Sequence, residues 1–313
     1  MVWIAEPLDR PFARPIEQPD TRVSGITEIT LPGPVTITPT LGAELLTNGD
    51  FSSWSDDNPT GWVVSESGSD PGVTEVAPDG SAGNGAARLY SSATVAQPRI
   101  AQSFGTAHSG WGHAVANVTA WVGGALRFEL FGSTSLAFVG KQGVGAHFGT
   151  NRMGTGAQLF CDSPSTDLVL DSVSVRPIDT ASMFYAISDA FVPRVIKAKI
   201  TRTAFTQAGL GVYVNSSNYL VAYEDGQGRI VLYKRVGGTA SLVGSPVSVS
   251  YADERELEYN YDPGAKTVTV KYNGATVINA ASVPDEVFVT ATGARLFSTY
   301  SANTFTEVTA LGK

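Results

Sequence analysis

Six alternating segments between residues 195 and 272 constrain the fold more than any other feature of this chain. Each is a run of roughly six residues in which apolar and polar side chains alternate, as in a half-buried strand. They occupy residues 195–202, 208–214, 219–223, 229–235, 256–261 and 267–272. Turn sequences such as Gly237-Gly238 lie between them, and Asn273-Gly274 follows the last. Such turns need positive φ, which glycine and asparagine tolerate. The pattern predicts an antiparallel β-sandwich with few or no helices.

Two phrases nearer the N-terminus indicate another sandwich. The first is ELLTNGDF at residues 44–51, followed by Gly61-Trp62, which suits a strand that bends and buries its aromatic side chains. The second, residues 168–178, alternates. Leu168, Leu170, Ser172 and Ser174 are predicted on one face, with Val169, Asp171, Val173 and Val175 on the other. The two phrases resemble the start and finish of jelly-roll carbohydrate-binding modules with the galactose-binding-like fold, which lie side by side in that family.

The C-terminal region of the chain, which contains the six alternating segments, resembles the concanavalin and laminin-G-like sandwiches. The resemblance rests on the meander formed by residues 209–214, 218–223 and 229–234. It covers residues 181–313, whereas the jelly-roll resemblance covers residues 43–178. We therefore predict an all-β chain of two tandem antiparallel β-sandwiches, a jelly roll at residues 43–179 and a lectin-like sandwich at residues 180–313.

Residues 1–42 are predicted to form an extended, Pro-rich N-terminal arm. They hold seven of the 17 prolines, four of them spaced every four residues from Pro7 to Pro19, which forbids a helix of useful length. The arm is too apolar for a simple linker, and we expect it to anchor the protein. Two docking surfaces stay open, the protein's own sandwich and a partner subunit. The predicted anchoring side chains are Trp3, Ile4, Leu8, Phe12 and Ile16.

Composition excludes several classes of function. The chain has 313 residues, 42% of them apolar, yet it has no apolar run long enough for a membrane helix and no signal-peptide pattern at its N-terminus. Residues 43–180 hold thirteen acidic and six basic side chains, so nucleic-acid binding is not expected. Cys161 is the single cysteine, which excludes an internal disulfide and favours a small buried thiol.

The sharpest catalytic pattern is Glu254, Glu256 and Glu258, because a strand places these three carboxylates on one face. It resembles the E-x-D-x-E strand of concanavalin-fold glycoside hydrolases, but the middle residue departs from that pattern. An ordinary strand with a polar face in water is favoured. The three histidines lack zinc-site spacing. We expect no enzymatic activity.

No cofactor is required by these patterns, but a structural calcium ion is implied by the jelly-roll resemblance. The matching positions are Asn48 and Asp50 on the first phrase and Asp171 on the last strand. Oxygen ligands of this kind suit a hard cation. The family usually shows paired acids on its last strand, whereas Ser172 follows Asp171 here, so Asp171 capping a turn is the alternative.

Aromatic side chains are the other means of binding in such folds, because a sugar ring stacks on an indole. Trp54 and Trp111 stand in polar, glycine-rich surroundings and are predicted to contact a glycan or a partner. Packing against a loop or another subunit is the alternative.

The arm, the two lectin-like sandwiches and the lack of an assembled catalytic set resemble a virion structural protein of a tailed bacteriophage, of the capsid-decoration, tail-fibre or tail-tip type. That resemblance implies assembly in the host cytoplasm, other capsid or tail proteins as partners and a homo-oligomer, with a trimer favoured. It also implies host-surface glycan contact without membrane insertion or nucleic-acid binding. The alternative function is a carbohydrate-binding protein of a polysaccharide-degrading system.

Overall fold

The computed structural model describes residues 26–56, 58–66, 72–78, 80, 85–91, 98–131 and 135–313. Within these ranges the fold is all-β, as predicted, with antiparallel pairing throughout and two single-turn 3₁₀ helices at Ala181–Met183 and Glu286–Phe288. In the described part of the chain, no helix has the length and apolar character needed to cross a membrane.

The described residues up to residue 178 form fourteen strands. They are β1 (Thr27–Thr30), β2 (Val35–Thr36), β3 (Trp54–Ser55), β4 (Asn58–Pro59), β5 (Val63–Ser65), β6 (Val73–Val76), β7 (Ala86–Tyr90), β8 (Arg99–Ser103), β9 (Trp111–Gly123), β10 (Leu126–Phe131), β11 (Ser135–Lys141), β12 (Gly145–Arg152), β13 (Gly156–Cys161) and β14 (Asp167–Ile178).

The second half forms twelve more. They are β15 (Phe184–Ser188), β16 (Pro193–Thr201), β17 (Ala208–Asn215), β18 (Asn218–Glu224), β19 (Arg229–Val236), β20 (Thr239–Leu242), β21 (Val247–Ser248), β22 (Arg255–Asp262), β23 (Thr267–Tyr272), β24 (Ala275–Ser282), β25 (Ala294–Ser298) and β26 (Thr304–Gly312).

The first sandwich packs a sheet of order β11-β10-β13-β8-β5 against one of order β12-β9-β14-β7-β6. Its core is built from the inward faces of both sheets and from the ELLTNGDF phrase. The largest buried side chains of this core are Phe51, Trp62, Leu89, Ile100, Phe128 and Phe138. The thiol of Cys161 is also fully buried here, and desolvation raises its pKa to about 12, so it acts as a small apolar side chain.

The opening and closing phrases do lie side by side. The backbone N–H of Val173 donates to the carbonyl of Gly49 at 2.7 Å, and that of Leu45 donates to Val175 at 3.0 Å. The approach is so close that a Cβ on Gly49 would lie 2.3 Å from the Val173 carbonyl oxygen, which explains the glycine. Phe51 and Trp62 are buried as predicted.

The predicted faces of β14 are wrong beyond residue 170. Leu170 pairs with Val118 and Ser172 pairs with Asn117, so Asp171 is an extra residue in a β-bulge. The bulge shifts the alternation by one, which turns Val173 and Val175 onto the same face as Leu168 and Leu170. All four of these apolar side chains belong to one core cluster.

The second sandwich packs a sheet of order β1-β26-β16-β22-β23-β24 against one of order β15-β25-β17-β18-β19-β20. All six predicted strands are present, and two-residue turns with positive φ connect β19 to β20 at Gly237-Gly238 and β23 to β24 at Asn273-Gly274. The second sheet is buried on both faces, since Leu220 and Leu232 enter the sandwich core while Tyr219 and Tyr233 point away from it.

Part of the predicted arm lies along the second sandwich. In β1, Thr27 pairs with Gly312 and Thr30 pairs with Thr309, and β2 pairs with the same strand, β26, at residues 304–305. The first sandwich therefore occupies the chain between two segments of the second. The two connections between them touch, because Asp179 N–H donates to the Thr40 carbonyl at 2.9 Å and Thr40 N–H donates to the Ser182 hydroxyl at 2.8 Å.

Candidate functional site

The two sandwiches meet at a buried cluster that we call the aromatic seam. Trp111 at the start of β9 is fully buried there, with its ring 5.5 Å from Tyr223, 5.9 Å from Tyr233 and 5.4 Å from Phe297. These three partners lie on the outer face of the second sandwich. The full set of buried residues in the seam is Trp111, Ile178, Met183, Tyr219, Val221, Tyr223, Val231, Tyr233 and Phe297.

This placement corrects the prediction that Trp111 offers a surface contact. Its glycine-rich neighbours in sequence suggested an exposed loop, but Trp111 begins a long strand whose end is covered by the second sandwich. No face of the ring is open to a sugar. Its contact is internal, between the two sandwiches of one chain.

A polar network beside the seam also joins the sandwiches. The Thr150 hydroxyl of β12 donates to the Gln207 carboxamide oxygen at 2.7 Å and lies 2.6 Å from the Thr299 hydroxyl. Gln207 Nε2 donates to the Thr150 carbonyl at 2.7 Å, and Thr150 N–H donates to Phe205. Thr150, Gln207 and Thr299 are buried, and because they satisfy one another they fix the relative position of the sandwiches.

A cleft of about 170 Å³ opens at the edge of this junction. The end of β12 forms one side, and the turn between β18 and β19 forms the other together with residues 242–246. Its polar lining consists of Asn151, Arg152, Asp225, Gln227 and Arg229, and its apolar lining consists of Tyr223, Val231, Leu242 and Pro246. We call this site the junction cleft.

The polar side of the cleft is held in place by its own hydrogen bonds. Asp225 Oδ1 accepts from the backbone N–H groups of Gln227 and Arg229, both at 2.9 Å, while Arg229 Nε donates to Asp225 Oδ2 at 2.7 Å. The turn packs tightly, since a Cβ on Gly226 would lie 2.4 Å from the Cα of Phe205. Arg152 lies with its guanidinium 5.4 Å from the Tyr233 ring centre.

The cleft lacks the parts of a hydrolytic site. Among the described residues that line it, Asp225 is the sole carboxylate, and it is engaged by Arg229 and two backbone N–H groups. Glycoside hydrolysis uses two carboxyl groups flanking the bond that breaks. The arrangement can therefore bind a polar ligand, but it offers no general acid and base pair.

Glu224, the last residue of β18, is buried beside Arg202 next to the cleft. Glu224 is 1% exposed, and Arg202 Nε lies 3.7 Å from its Oε2. The Arg202 guanidinium is 4.5 Å from the ring centre of Tyr251 and donates to the Thr203 carbonyl at 2.8 Å. Desolvation raises the pKa of Glu224 to about 8, although the charge of Arg202 opposes that shift.

The candidate catalytic strand has a charged face that is only partly in water, because Glu258 is buried there. Glu254, Glu256 and Glu258 lie on or next to β22, with Leu257, Tyr259 and Tyr261 turned into the core. Glu258 is 6% exposed and is paired with Lys197 at 2.6 Å and Lys271 at 2.8 Å, which are its neighbours on β16 and β23. Burial alone would raise the pKa of Glu258, but hydrogen bonds from Asn260 and the two lysines lower it to about 2.

Replacing Glu258 with glutamine is expected to destabilise the protein by about 1–2 kcal/mol at pH 7, because two lysines then face each other without their shared carboxylate. A depressed folded-state pKa gives stability that is present above the unfolded value and lost as pH falls. The difference in free energy of unfolding between wild type and E258Q should thus shrink as the pH falls from about 4.5 to 2. Urea melts across that range measure it, with Glu307→Gln, an exposed partner of Lys199, as control. A gap independent of pH would contradict the assignment.

The predicted calcium ligands have separate partners. The Asn48 carboxamide organises its own loop, accepting from Ser53 N–H at 3.0 Å and donating to the Ser53 and Thr60 carbonyls, while Asp50 accepts from Ser52. Asp171 sits in the β14 bulge, where it accepts from Asn117 at 3.3 Å. In the described part of the chain no three His, Cys, Asp or Glu side chains cluster as metal ligands would. The three side chains do not form a ready ligand set, and calcium binding stays a prediction.

Trp54 is half-buried in β3, packed against the first sandwich core, with its Nε1 donating to the Phe51 carbonyl at 2.7 Å. Its contact with a glycan or partner stays a prediction. The anchoring side chains Trp3, Ile4, Leu8, Phe12 and Ile16 lie outside the described residues.

Sequence reasoning missed the junction cleft, because its two sides come from segments about seventy residues apart. One signal was present. Residues 219–223, which we grouped with the alternating segments, in fact read YLVAY, an unbroken apolar run that is typical of a strand covered on both faces. That run indicates that something packs on the outer face of the second sandwich.

No protein-family model matches this chain, and no curated protein sequence matches it. Among solved structures, it is similar to the carbohydrate-binding module CBM66 from Bacillus subtilis, with 14% identity, 41% of this chain and 76% of the other covered, and a TM-score of 0.31. It is also similar to the galectin LEC-6 of Caenorhabditis elegans, with 9% identity, 42% and 89% covered, and a TM-score of 0.31.

A native glycosidic hydrolase matches over more of the chain, with 8% identity, 88% of this chain and 96% of the other covered, and a TM-score of 0.29. At such identities and TM-scores these likenesses agree with a β-sandwich fold and carry no argument about function.

Proposed function

We propose that this protein is a non-enzymatic structural protein of a tailed-bacteriophage virion. Its arm anchors it to capsid or tail, and its sandwiches project to stabilise the particle or touch host-surface glycan. The observation that carries the proposal is the junction: an aromatic seam, a buried polar network and two touching connections join the sandwiches into one unit. A fixed body of this kind suits a scaffold that presents binding surfaces.

The state of the carboxylates supports a role without catalysis. Glu258 is held by two lysines, Asp225 by Arg229, and Glu224 is buried beside Arg202. Each is accounted for by local ion pairing or burial.

The path of the arm supports anchoring at one edge. β1 and β2 hold the chain against β26, so residue 26 leaves from the edge of the second sandwich beside Gly312. Residues before it carry the apolar side chains from Trp3 to Ile16, which we propose bind other capsid or tail proteins. The proposal includes a homo-oligomer, a trimer being favoured, assembled in the host cytoplasm.

Quantitative mass spectrometry of particles purified from the source tests this proposal. We expect peptides of this chain at a constant copy ratio to the major shell or tail protein across independent preparations and after a further density gradient. Absence from particles, or a ratio that falls with each purification step, would contradict a virion role.

The second candidate is a carbohydrate-binding protein of a polysaccharide-degrading system, and the junction cleft is the observation that favours it. Under that function the chain binds polysaccharide without being part of any particle. Affinity electrophoresis on gels containing plant or bacterial polysaccharides would show retardation, and the chain would be missing from the particle preparations above.

A further inference from the structure

We infer that the junction cleft binds a single neutral sugar ring, a hexopyranose unit of a glycan. The inference deepens the glycan contact in the proposed function and rests on that part of it. It assigns the contact to a place between the sandwiches, where neither sandwich alone could form it.

The lining has the mixed hydrogen-bonding character that sugar hydroxyls require. Each hydroxyl both donates and accepts, so a ring is matched by side chains of both kinds. Arg152 and Arg229 carry donors, and Asn151 and Gln227 carry both donors and acceptors. Gln227 is exposed at the turn, and its carboxamide has no hydrogen-bond partner among the described residues.

Apolar side chains also line the cleft. Leu242 is 40% exposed, and Pro246, Tyr223 and Val231 complete the apolar part of the lining. A pyranose has one face of C–H groups, which gains from contact with apolar side chains while its hydroxyls reach the polar side.

The polar groups are already positioned before any ligand enters. Asn151 Nδ2 donates to the Leu136 carbonyl at 2.7 Å, and its Oδ1 accepts from Arg152 N–H at 2.8 Å. Asp225 is fixed by two backbone N–H groups and by Arg229. Asn151 retains a second amide N–H for a ligand, whereas the role of Asp225 is to hold Arg229 and the turn in place. Binding to fixed groups costs less ordering entropy.

Size and charge favour a single ring over a larger ligand or a phosphate dianion. Asp225 pairs with Arg229 at 2.7 and 2.6 Å and neutralises one of the two arginine charges in the lining, so the net charge of the lining is lower than the two arginines alone would give a dianion. The cleft volume of about 170 Å³ is below the roughly 300–1,000 Å³ of pockets that enclose drug-sized molecules. One ring with its neighbours projecting into solvent is the ligand that fits.

Titration of the full chain with methyl α- and β-glycosides of glucose, galactose and mannose, followed by ligand-observed NMR, tests the inference. At least one glycoside should bind to the wild-type chain. Gln227→Ala and Leu242→Ala should each lower the affinity for that glycoside about tenfold. Gln142→Ala and Val144→Ala are matched controls on exposed positions of the first sandwich and should bind as wild type does.

Every outcome of this titration bears on the cleft. Binding that the cleft variants leave unchanged would place the sugar elsewhere and overturn the inference, as would no binding by any glycoside or stronger binding of inorganic phosphate. A correct circular dichroism spectrum and melting temperature for each variant exclude misfolding as the cause of lost binding. These results leave the virion role untouched, since that role is decided by copy ratio in particles.

Discussion

Replacing Trp111 with alanine is expected to lower the free energy of unfolding by about 3–5 kcal/mol, the cost of removing a large buried aromatic side chain. Trp111 is fully buried and meets three rings of the second sandwich within 6 Å. The substitution would leave a cavity between the two sandwiches. We therefore expect the sandwiches to unfold in separate transitions instead of in one. Denaturant unfolding followed by tryptophan fluorescence and by circular dichroism measures both effects.

Trp121→Ala is the matched control. Trp121 is on the same strand but 37% exposed, so its removal should cost far less than that of Trp111. If W111A and W121A lose similar stability, or if the two probes still coincide in W111A, the aromatic seam does not couple the sandwiches.

The second large expected effect is a pH dependence of the free energy of unfolding that arises from Glu224. Desolvation raises its folded-state pKa to about 8, above the ordinary 4.5, so the folded protein binds a proton that the unfolded chain releases. Stability from this group is therefore present below about pH 4.5 and lost as pH rises through 8. The expected slope approaches 1.4 kcal/mol per pH unit within that window.

Glu224→Gln cannot titrate and should lack this slope. Denaturant melts at a series of pH values measure the difference in free energy of unfolding between wild type and E224Q. Burial lowers the pKa of His113, which gives an opposing pH dependence. Because both proteins contain His113, its contribution cancels in the difference. Glu286→Gln, a change at an exposed carboxylate paired with Lys266, serves as control and should follow wild type. Parallel pH profiles for wild type and E224Q would refute the assignment.

Local patterns were sufficient to predict six of the fourteen strands that the described residues form in the second sandwich. Alternation and turns such as Asn273-Gly274 depend on neighbours in sequence, and each strand appeared where its pattern placed it. The pairing of the ELLTNGDF phrase with β14 was also predicted, because the family resemblance supplied a long-range contact that alternation alone does not contain.

Features that depend on tertiary packing were not predicted. The bulge at Asp171 follows from the pairing of β14 with β9, and no residue type within β14 indicates a bulge there. Trp111 lies next to glycines in sequence, yet its surroundings in space are tyrosines more than a hundred residues away. The junction cleft depends on the same docking, and so its residues carried no motif.

The pairing of Thr27 with Gly312 sets the order in which the chain can fold during synthesis. All strands of the first sandwich have been made once residue 178 is complete, whereas β1 and β2 must wait for β26, the last strand. Contacts between such distant parts of a chain form slowly. We therefore expect the first sandwich to fold early, while the ribosome is still adding the second, and the N-terminal strands to be the last pieces to dock.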